Sequence, residues 1–473
     1  MKPVVVVGAG PTGLTAAVLL QELGVPVVVL ERHAAPYALP RAVHLDDEVH
    51  RVLQAAGVAD AFAGVSRAAL GLRLVDAQHR VMAEFRRPAR GAHGWPGANL
   101  FDQPDLEALL RARLAAPPRT ATVTGVRAGA APVVETDGGD VEASAVFGCD
   151  GAGSTVRAAV GARWDDLGFS ETWLVVDVLC EAELPVWDGV TQVCDPARAA
   201  TVLRVGRDRY RWEFQLRDGE ADLEVGPLLA PWTGGREVRV VRRAAYGFAA
   251  RLADRWQEGR TFLLGDAAHV TPPFVGQGLG AGLRDAHALA WRLARVLHGR
   301  APEALLATYA QERRPHARAQ VRQAVTAGWA MTGGQDRAAA VRRAVLAGVV
   351  RVPGGTALLD RGSPALRGSA LTRGRSAGAL PPQPEVAGRR LDDVVGPRFA
   401  VLTTGAVTPG LQAVADRLEG VALALGAAPA DPLSAWLRRR RHAVVVLRPD
   451  RAVLAAARDE AGLRVPWGLL TDP

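Results

Sequence analysis

The 473-residue chain has three cysteines, four tyrosines and a single lysine, Lys2, and the scarcities close off several classes of protein. Cys149, Cys180 and Cys194 form no closely spaced pair, so a disulfide framework, a zinc knuckle and a dithiol redox centre are all poorly supported. The formal charge of +8 comes from arginines scattered among 49 acidic residues, a residue preference and not a nucleic-acid surface. The one dense basic run, Arg438 to Arg441, lies between an amphipathic segment and an apolar one, where a solvated element boundary is the plainer reading. The histidines show neither HExxH nor two-His-one-carboxylate spacing, so no metal site is assigned. The amino-terminal apolar stretch stops at Gln21-Glu22, short of membrane-spanning length. A soluble, cytoplasmic enzyme with no nucleic-acid or membrane partner is expected.

What is present is half apolar and rich in glycine. Pro3 to Val7 form a continuous apolar run suited to a buried parallel strand. Gly8, Gly10 and Gly13 follow as GxGxxG, then Leu14, Ala17, Val18 and Leu20 give a helix its apolar face up to about Gly24. Pro26 opens a second apolar strand, Val27 to Leu30, which closes with Glu31. A glycine turn lets backbone approach a pyrophosphate, the helix start offers N–H groups to it, and Glu31 can accept from ribose hydroxyls. The pattern predicts an adenine dinucleotide site.

Two later loops repeat the theme. Ala145 to Gly148 lead into Cys149-Asp150-Gly151, and Thr261 to Leu264 into Gly265-Asp266. Pro272-Pro273-Phe274-Val275-Gly276-Gln277-Gly278 then precedes a helix to about residue 298, and another helix covers roughly 303 to 326. Glycine and proline are frequent from 352 to 390. Between 171 and 248 strands dominate, and Tyr210, Trp212, Phe214 and Leu216 alternate with Arg211, Glu213 and Gln215, as in a sheet with one packed face. Core packing is the favoured role of these aromatics, with lining of a planar substrate's pocket as the alternative. From 398 onward an αβ pattern without CxxC suggests a small terminal domain.

Taken together, Gly8-x-Gly10-x-x-Gly13 with Glu31, Asp150-Gly151, and Gly265-Asp266 with the Pro272–Gly278 loop resemble the single-component FAD-dependent aromatic hydroxylases. Arg41-Ala42-Val43 with Asp46-Asp47-Glu48, Phe101-x-Gln103-Pro104, Trp173 to Asp177, Arg211 to Phe214 and Ala281-Gly282-x-Arg284-Asp285 look most like 3-(3-hydroxyphenyl)propionate hydroxylase and related phenol hydroxylases. The resemblance covers about residues 2 to 330. It implies an α/β chain: a Rossmann-like FAD-binding fold, an inserted β-sheet substrate layer, and a thioredoxin-like terminal domain. The expected divisions are 1–170 and 256–375 for the FAD-binding region, 171–255 for the sheet, and 380–473 for the terminal domain.

The chemistry implied is FAD reduction by NAD(P)H, reaction of reduced flavin with dioxygen to a C4a-hydroperoxide, and oxygen transfer to a phenolic aromatic substrate. The resemblance sets Glu31 on the adenosine ribose, Arg41 and Gln103 near flavin or pyrophosphate, Asp150 at the nucleotide-contact loop and Asp266 on the ribityl chain. Gly276, Gln277 and Gly278 would bring backbone donors to the flavin pyrimidine edge, with the following helix favouring negative charge there. Pro273 would hold the approach loop and expose a carbonyl. His44, Asp47 and Tyr210 are the candidates for protein acid–base work, none placed at the substrate by the sequence. NADH versus NADPH and a homodimer are left open. The alternatives are epoxidation or Baeyer–Villiger oxidation of a polycyclic metabolite, and a flavin-binding oxidoreductase or regulatory protein without oxygen transfer.

Overall fold

The computed structural model describes residues 1–471 apart from 37, 38, 40, 218, 221, 333–362 and 426–430, so part of the Gly/Pro-rich stretch expected from 352 to 390 lies outside the described residues. Val4–Val7 is buried throughout and pairs in parallel with Val27–Glu31 on one side and Ala145–Gly148 on the other. β-Branched residues covered on both faces suit a central parallel strand. Thr261–Leu263 adds a further parallel strand, with Gln257–Glu258 and Arg119–Thr120 at the two edges. Three separated pieces of chain thus complete one dinucleotide fold. The helices Pro11–Glu22 and Gly278–Leu297 pack against each other beside this sheet.

A second sheet has eight strands in the order His269–Val270, Arg239–Ala253, Trp164–Leu179, Arg209–Gln215, Ala200–Arg204, Val190–Val193, Gly71–Val75 and Val81–Arg86. It is wider than the 171–255 segment suggested. Its longest strand starts at Trp164, and Gly71–Val75 enters by parallel pairing with Val190–Val193. Tyr210, Trp212 and Phe214 are buried on one face with Leu174, Val176, Val178 and Val202, covered by Leu229 of the helix Gly226–Thr233. Ordinary packing therefore accounts for these aromatics. The opposite face of the same strand, carrying Arg209 and Arg211, meets Asp102 and Arg41 of the dinucleotide region.

The helix Ala304–Thr332 contains Pro315 and runs past the expected end at 326. In the terminal domain Ala400–Thr403 pairs in parallel with Val421–Ala424 and antiparallel with Val444–Leu447, which pairs antiparallel with Val453–Ala457. This is a thioredoxin-like sheet. One face, with Val401, Val444 and Val446, joins the main core; the other, with Leu402, Val445 and Leu447, packs on Leu433, Trp436 and Leu437. Buried and largely buried charges reinforce the docking: Glu312 accepts from Arg292 at 2.6 Å and from Arg448 at 2.9 and 3.0 Å, and Asp450 accepts from Arg448 and from Trp291 Nε1. Two acids face two guanidinium groups, so the cluster is neutral and its members are paired. Among the described residues no helix is long and apolar enough to cross a membrane.

Candidate functional site

Loops from the carboxyl ends of Val4–Val7, Ala145–Gly148 and Thr261–Leu263 converge where open α/β sheets bind ligands. Gly8 has φ +102°, and a Cβ there would stand 2.4 Å from the Cys149 carbonyl oxygen; one on Gly13 would stand 2.0 Å from the Gly8 carbonyl oxygen. Only glycine lets this strand, turn and helix close. At Gly10, Gly151 and Gly153 a Cβ would meet nothing within 4 Å, so these positions border open space. Gly10 caps Pro11–Glu22 without a side-chain bond, leaving first-turn N–H groups for an anionic ligand.

The acids predicted around this cleft are held in different ways. Glu31 accepts from Ala9 N–H at 2.8 Å and His33 N–H at 3.0 Å, which fixes its carboxylate beside the glycine turn. Asp150 accepts from Ser154 Oγ at 2.5 Å and Val156 N–H at 3.2 Å, ordering the start of the helix Thr155–Ala159. Asp266 is solvent-exposed, yet the surrounding walls raise its pKa, with His269 and Arg41 opposing. Behind it Asp285 accepts from Gly265 N–H at 3.0 Å, His269 Nε2 at 2.8 Å and Arg313 Nε at 2.7 Å, pinning the loop. Gln103 Oε1 accepts from Ala42 N–H at 2.8 Å and Arg41 N–H at 3.2 Å, so it positions the Arg41 backbone. Arg41 in turn accepts at its carbonyl from Arg211, at 2.9 Å.

Pro273–Val275 forms a single 3₁₀ turn ending at Gly276, φ +61°. The Pro273 carbonyl accepts from Gly276 N–H at 2.8 Å, so it closes this turn. A Cβ on Gly276 would lie 2.6 Å from His44 Nδ1; His44 packs on the loop, and burial lowers its pKa despite Asp46. Gln277 donates to Asp46 at 2.9 Å and accepts from Arg284 at 3.0 Å. Arg284 also donates to Asp46 at 2.9 Å and to Glu48 at 2.8 Å, while Asp46 caps the helix Asp47–Ala55 through Val49 N–H. Burial opposes ionisation of Asp46, but Arg284, Val49 N–H and Gln277 outweigh it and hold its carboxyl well below the usual range. Gly278 is open, its virtual Cβ meeting nothing nearer than Thr271 Cβ at 3.9 Å.

Two acid–base candidates do not join this constellation. Tyr210 is fully buried in the core on the sheet's far face, and its hydroxyl accepts from Leu184 N–H at 3.1 Å. Strand alternation turns it away from the Arg41 side, which rules against its catalytic role. Asp47 contacts the 86–96 segment: it accepts from His93 N–H at 3.1 Å, and a Cβ on Gly91 would stand 2.2 Å from its Oδ2. Burial, with Asp46 and Glu48 adding repulsion, pushes its pKa up to about 6. The residues that brace the Pro272–Gly278 loop, Asp46, Glu48 and Arg284, stood in the matched segments without an assigned role. Their signal is an ion pair between acids and a guanidinium 236 or more residues apart, which local spacing cannot reveal.

Sheet order, glycine closure and the apposed second sheet define the class: a dinucleotide-binding flavoprotein with a substrate layer set into its chain. Its sequence matches the profile described as FAD binding domain over residues 1–324 and the HcaD C-terminal domain over 378–466. It is 32% identical over 499 residues to a probable NADH-specific resorcinol 4-hydroxylase of Rhodococcus jostii, covering 97% of this chain and 93% of that one. It is 33% identical over 519 residues to 3-(3-hydroxy-phenyl)propionate/3-hydroxycinnamic acid hydroxylase 2 of Burkholderia vietnamiensis, covering 97% and 94%. The solved structure of OxyS anhydrotetracycline hydroxylase from Streptomyces rimosus superposes with a TM-score of 0.75 at 27% identity, covering 97% and 96%. The chain belongs to the FAD-binding family of flavin-dependent aromatic monooxygenases. The open glycines at Gly10, Gly151 and Gly278, the exposed Asp266 and the uncapped helix start fit FAD, the family's cofactor, with NAD(P)H as its reductant.

Proposed function

We propose that the chain hydroxylates a phenolic ring held between the glycine loops and the eight-stranded sheet, using NAD(P)H and dioxygen. Bound FAD supplies the redox and oxygen-transfer chemistry. The residues proposed to hold it are Gly8, Gly10, Gly13, Glu31, Arg41, Gln103, Asp150, Asp266 and Gly276 to Gly278. The observation that carries this reading is the apposition of the two walls: Arg211 meets the Arg41 carbonyl at 2.9 Å, and the Trp173 ring meets Phe274 with centroids 5.7 Å apart. A flat ring confined between such walls is oriented and shielded from water, which favours transfer over loss of the reactive oxygen. Pro273 keeps the loop in its tight turn and His44 supports Gly276 from beneath. The hydroxylases of resorcinol and of 3-(3-hydroxyphenyl)propionate among its relatives motivate a substrate with a free ring hydroxyl. The cytoplasm, where NAD(P)H is supplied, is its proposed setting.

The test is incubation of the FAD-loaded protein with a phenol panel, NADH or NADPH and labelled dioxygen. One labelled oxygen on the ring is the expected outcome. The likeness to a tetracycline hydroxylase structure favours a second reading, oxidation of a polycyclic metabolite, which a labelled epoxide or lactone would select. No labelled product from any phenol or polycyclic probe would refute both.

A further inference from the structure

The sheet face turned toward the cofactor loops carries an acid that nothing above employs, Glu213. Its strand neighbours on that face are anchored in turn. Arg209 pairs with Asp102 at 2.9 Å, Arg211 donates to the Arg41 carbonyl at 2.9 Å, and Gln215 lies opposite Trp173, whose ring meets Phe274. Glu213 falls between the last two anchors, on the stretch of wall bracketed by the Arg41 and Phe274 loops. Across the sheet it stands in register with Val175 and Thr201, and the Thr201 hydroxyl is already donated to Gln192 Oε1 at 2.9 Å.

Glu213 is only 9% exposed, and among the described residues its carboxylate accepts no hydrogen bond. The nearest guanidinium, Arg211, is 3.8 Å away and is committed to Asp177 through bonds of 2.7 and 3.1 Å. Asp177 also receives Arg242 at 3.4 Å. Burial raises the Glu213 pKa, with Arg211 opposing and Asp177 adding to the rise. Glu213 thus has a distant ion-pair contact at 3.8 Å and, among the described residues, no hydrogen-bond donor of its own, and a mostly buried carboxyl in a binding wall can accept from a ligand donor.

We propose that Glu213 accepts a hydrogen bond from the ring hydroxyl of the phenolic substrate and thereby sets which ring carbons lie beside the flavin. The proposal rests on the hydroxylase reading and narrows it to substrates with a free hydroxyl donor. An O–H bond drawn toward a carboxyl group leaves more electron density at the ortho and para carbons. An aryl methyl ether has no such donor and would leave Glu213 without a hydrogen bond, and sites built around a buried hydrogen bond reject analogues lacking the donor.

The experiment uses FAD-loaded wild type, Glu213→Gln and Glu213→Ala. The probes are resorcinol and 3-(3-hydroxyphenyl)propionate, each beside its methyl ether. Binding is read without turnover from perturbation of the flavin spectrum; product isomers and peroxide per NADH are read separately. Wild type should bind at least one phenol about 10- to 100-fold more tightly than its ether. Glu213→Ala should lower that ratio by at least about tenfold through the phenol alone, scrambling the site of hydroxylation and raising peroxide. Flavin content and melting temperature separate this from misfolding, and if Glu213→Ala loses FAD, the near-isosteric Gln variant decides. An unchanged phenol-to-ether ratio in an FAD-loaded variant would overturn the proposal. A wild type that holds FAD yet neither binds nor oxygenates either phenol would overturn the hydroxylase reading itself.

Discussion

Two halves of the cofactor cradle are built by opposite means. The Gly8–Gly13 turn is a steric object: its shape follows from which carbons are missing, and its tight contacts are to backbone at Gly8 and Cys149. The Pro272–Gly278 loop is an electrostatic object, held through Gln277 and Arg284 by Asp46 and Glu48 from a helix near the start of the chain. Backbone closure is indifferent to pH and salt. Buried ion pairs tie distant segments together but leave each partner dependent on the other.

Arg284→Met should do the most damage, because it strands Asp46 and Glu48 without their counter-charge, at a cost of about 3–5 kcal/mol. Urea unfolding of the FAD-loaded protein measures it; near-native stability would break the electrostatic half of the comparison. Gly13→Ala should cost about 2–3 kcal/mol, because its Cβ would stand 2.0 Å from a carbonyl oxygen that cannot swing aside. Gly10→Ala sharpens the point: with open space around it, the fold should change by less than about 0.5 kcal/mol while FAD affinity falls. Equal losses of stability at the two glycines would contradict the steric account.

Asp47 should give a smaller effect than Arg284 or Gly13, and of opposite sign. Its carboxyl titrates near 6 in the fold against an ordinary 3.8, so between those values the folded state binds more protons than the unfolded one. Stability from this group is therefore greatest at acid pH and declines as pH rises from about 4 to 6. Asp47→Asn should remove that decline and raise stability at pH 7 by about 1–2 kcal/mol, allowing for its partial exposure. Melting curves across this range, with an unchanged pH slope in the variant, would show that Asp47 is not the responsible carboxyl.

The same contrast explains what could be read in advance. Gly8, Gly10, Gly13 and Glu31 sit on one strand–turn–helix–strand stretch, so their constraint is written in adjacent residues. Asp150 and Asp266 close apolar strands and enter glycine turns, which is again local. The beginning of the sheet at Trp164 was hidden because Asp165, Asp166 and Gly168 interrupt the apolar pattern, and a register shift between Asp166 and Ser170 lets the strand continue. Gly71–Val75 joins the sheet only through a partner more than a hundred residues later. Tyr210 had suitable chemistry, but which face of its strand meets the cofactor loops depends on Arg211 finding Arg41. Arg284 had no visible role until Asp46 and Glu48 were beside it.

The helix Gly278–Leu297 carries a consequence for inheritance. It is about 30 Å long. Its first residue borders the cofactor loop, Arg284 and Asp285 brace the two glycine loops, and Trp291, Arg292 and Arg295 reach Asp450, Glu312 and the Leu470 carbonyl. Recombination that exchanged the terminal domain alone between relatives would carry Arg448 and Asp450 away from Arg292 and Glu312. Each parent would then pass on half of a neutral, buried cluster. The heritable unit is the cluster together with the rod it is built on, so lineages of this architecture should diversify by changing loops around that rod more readily than by trading the terminal domain.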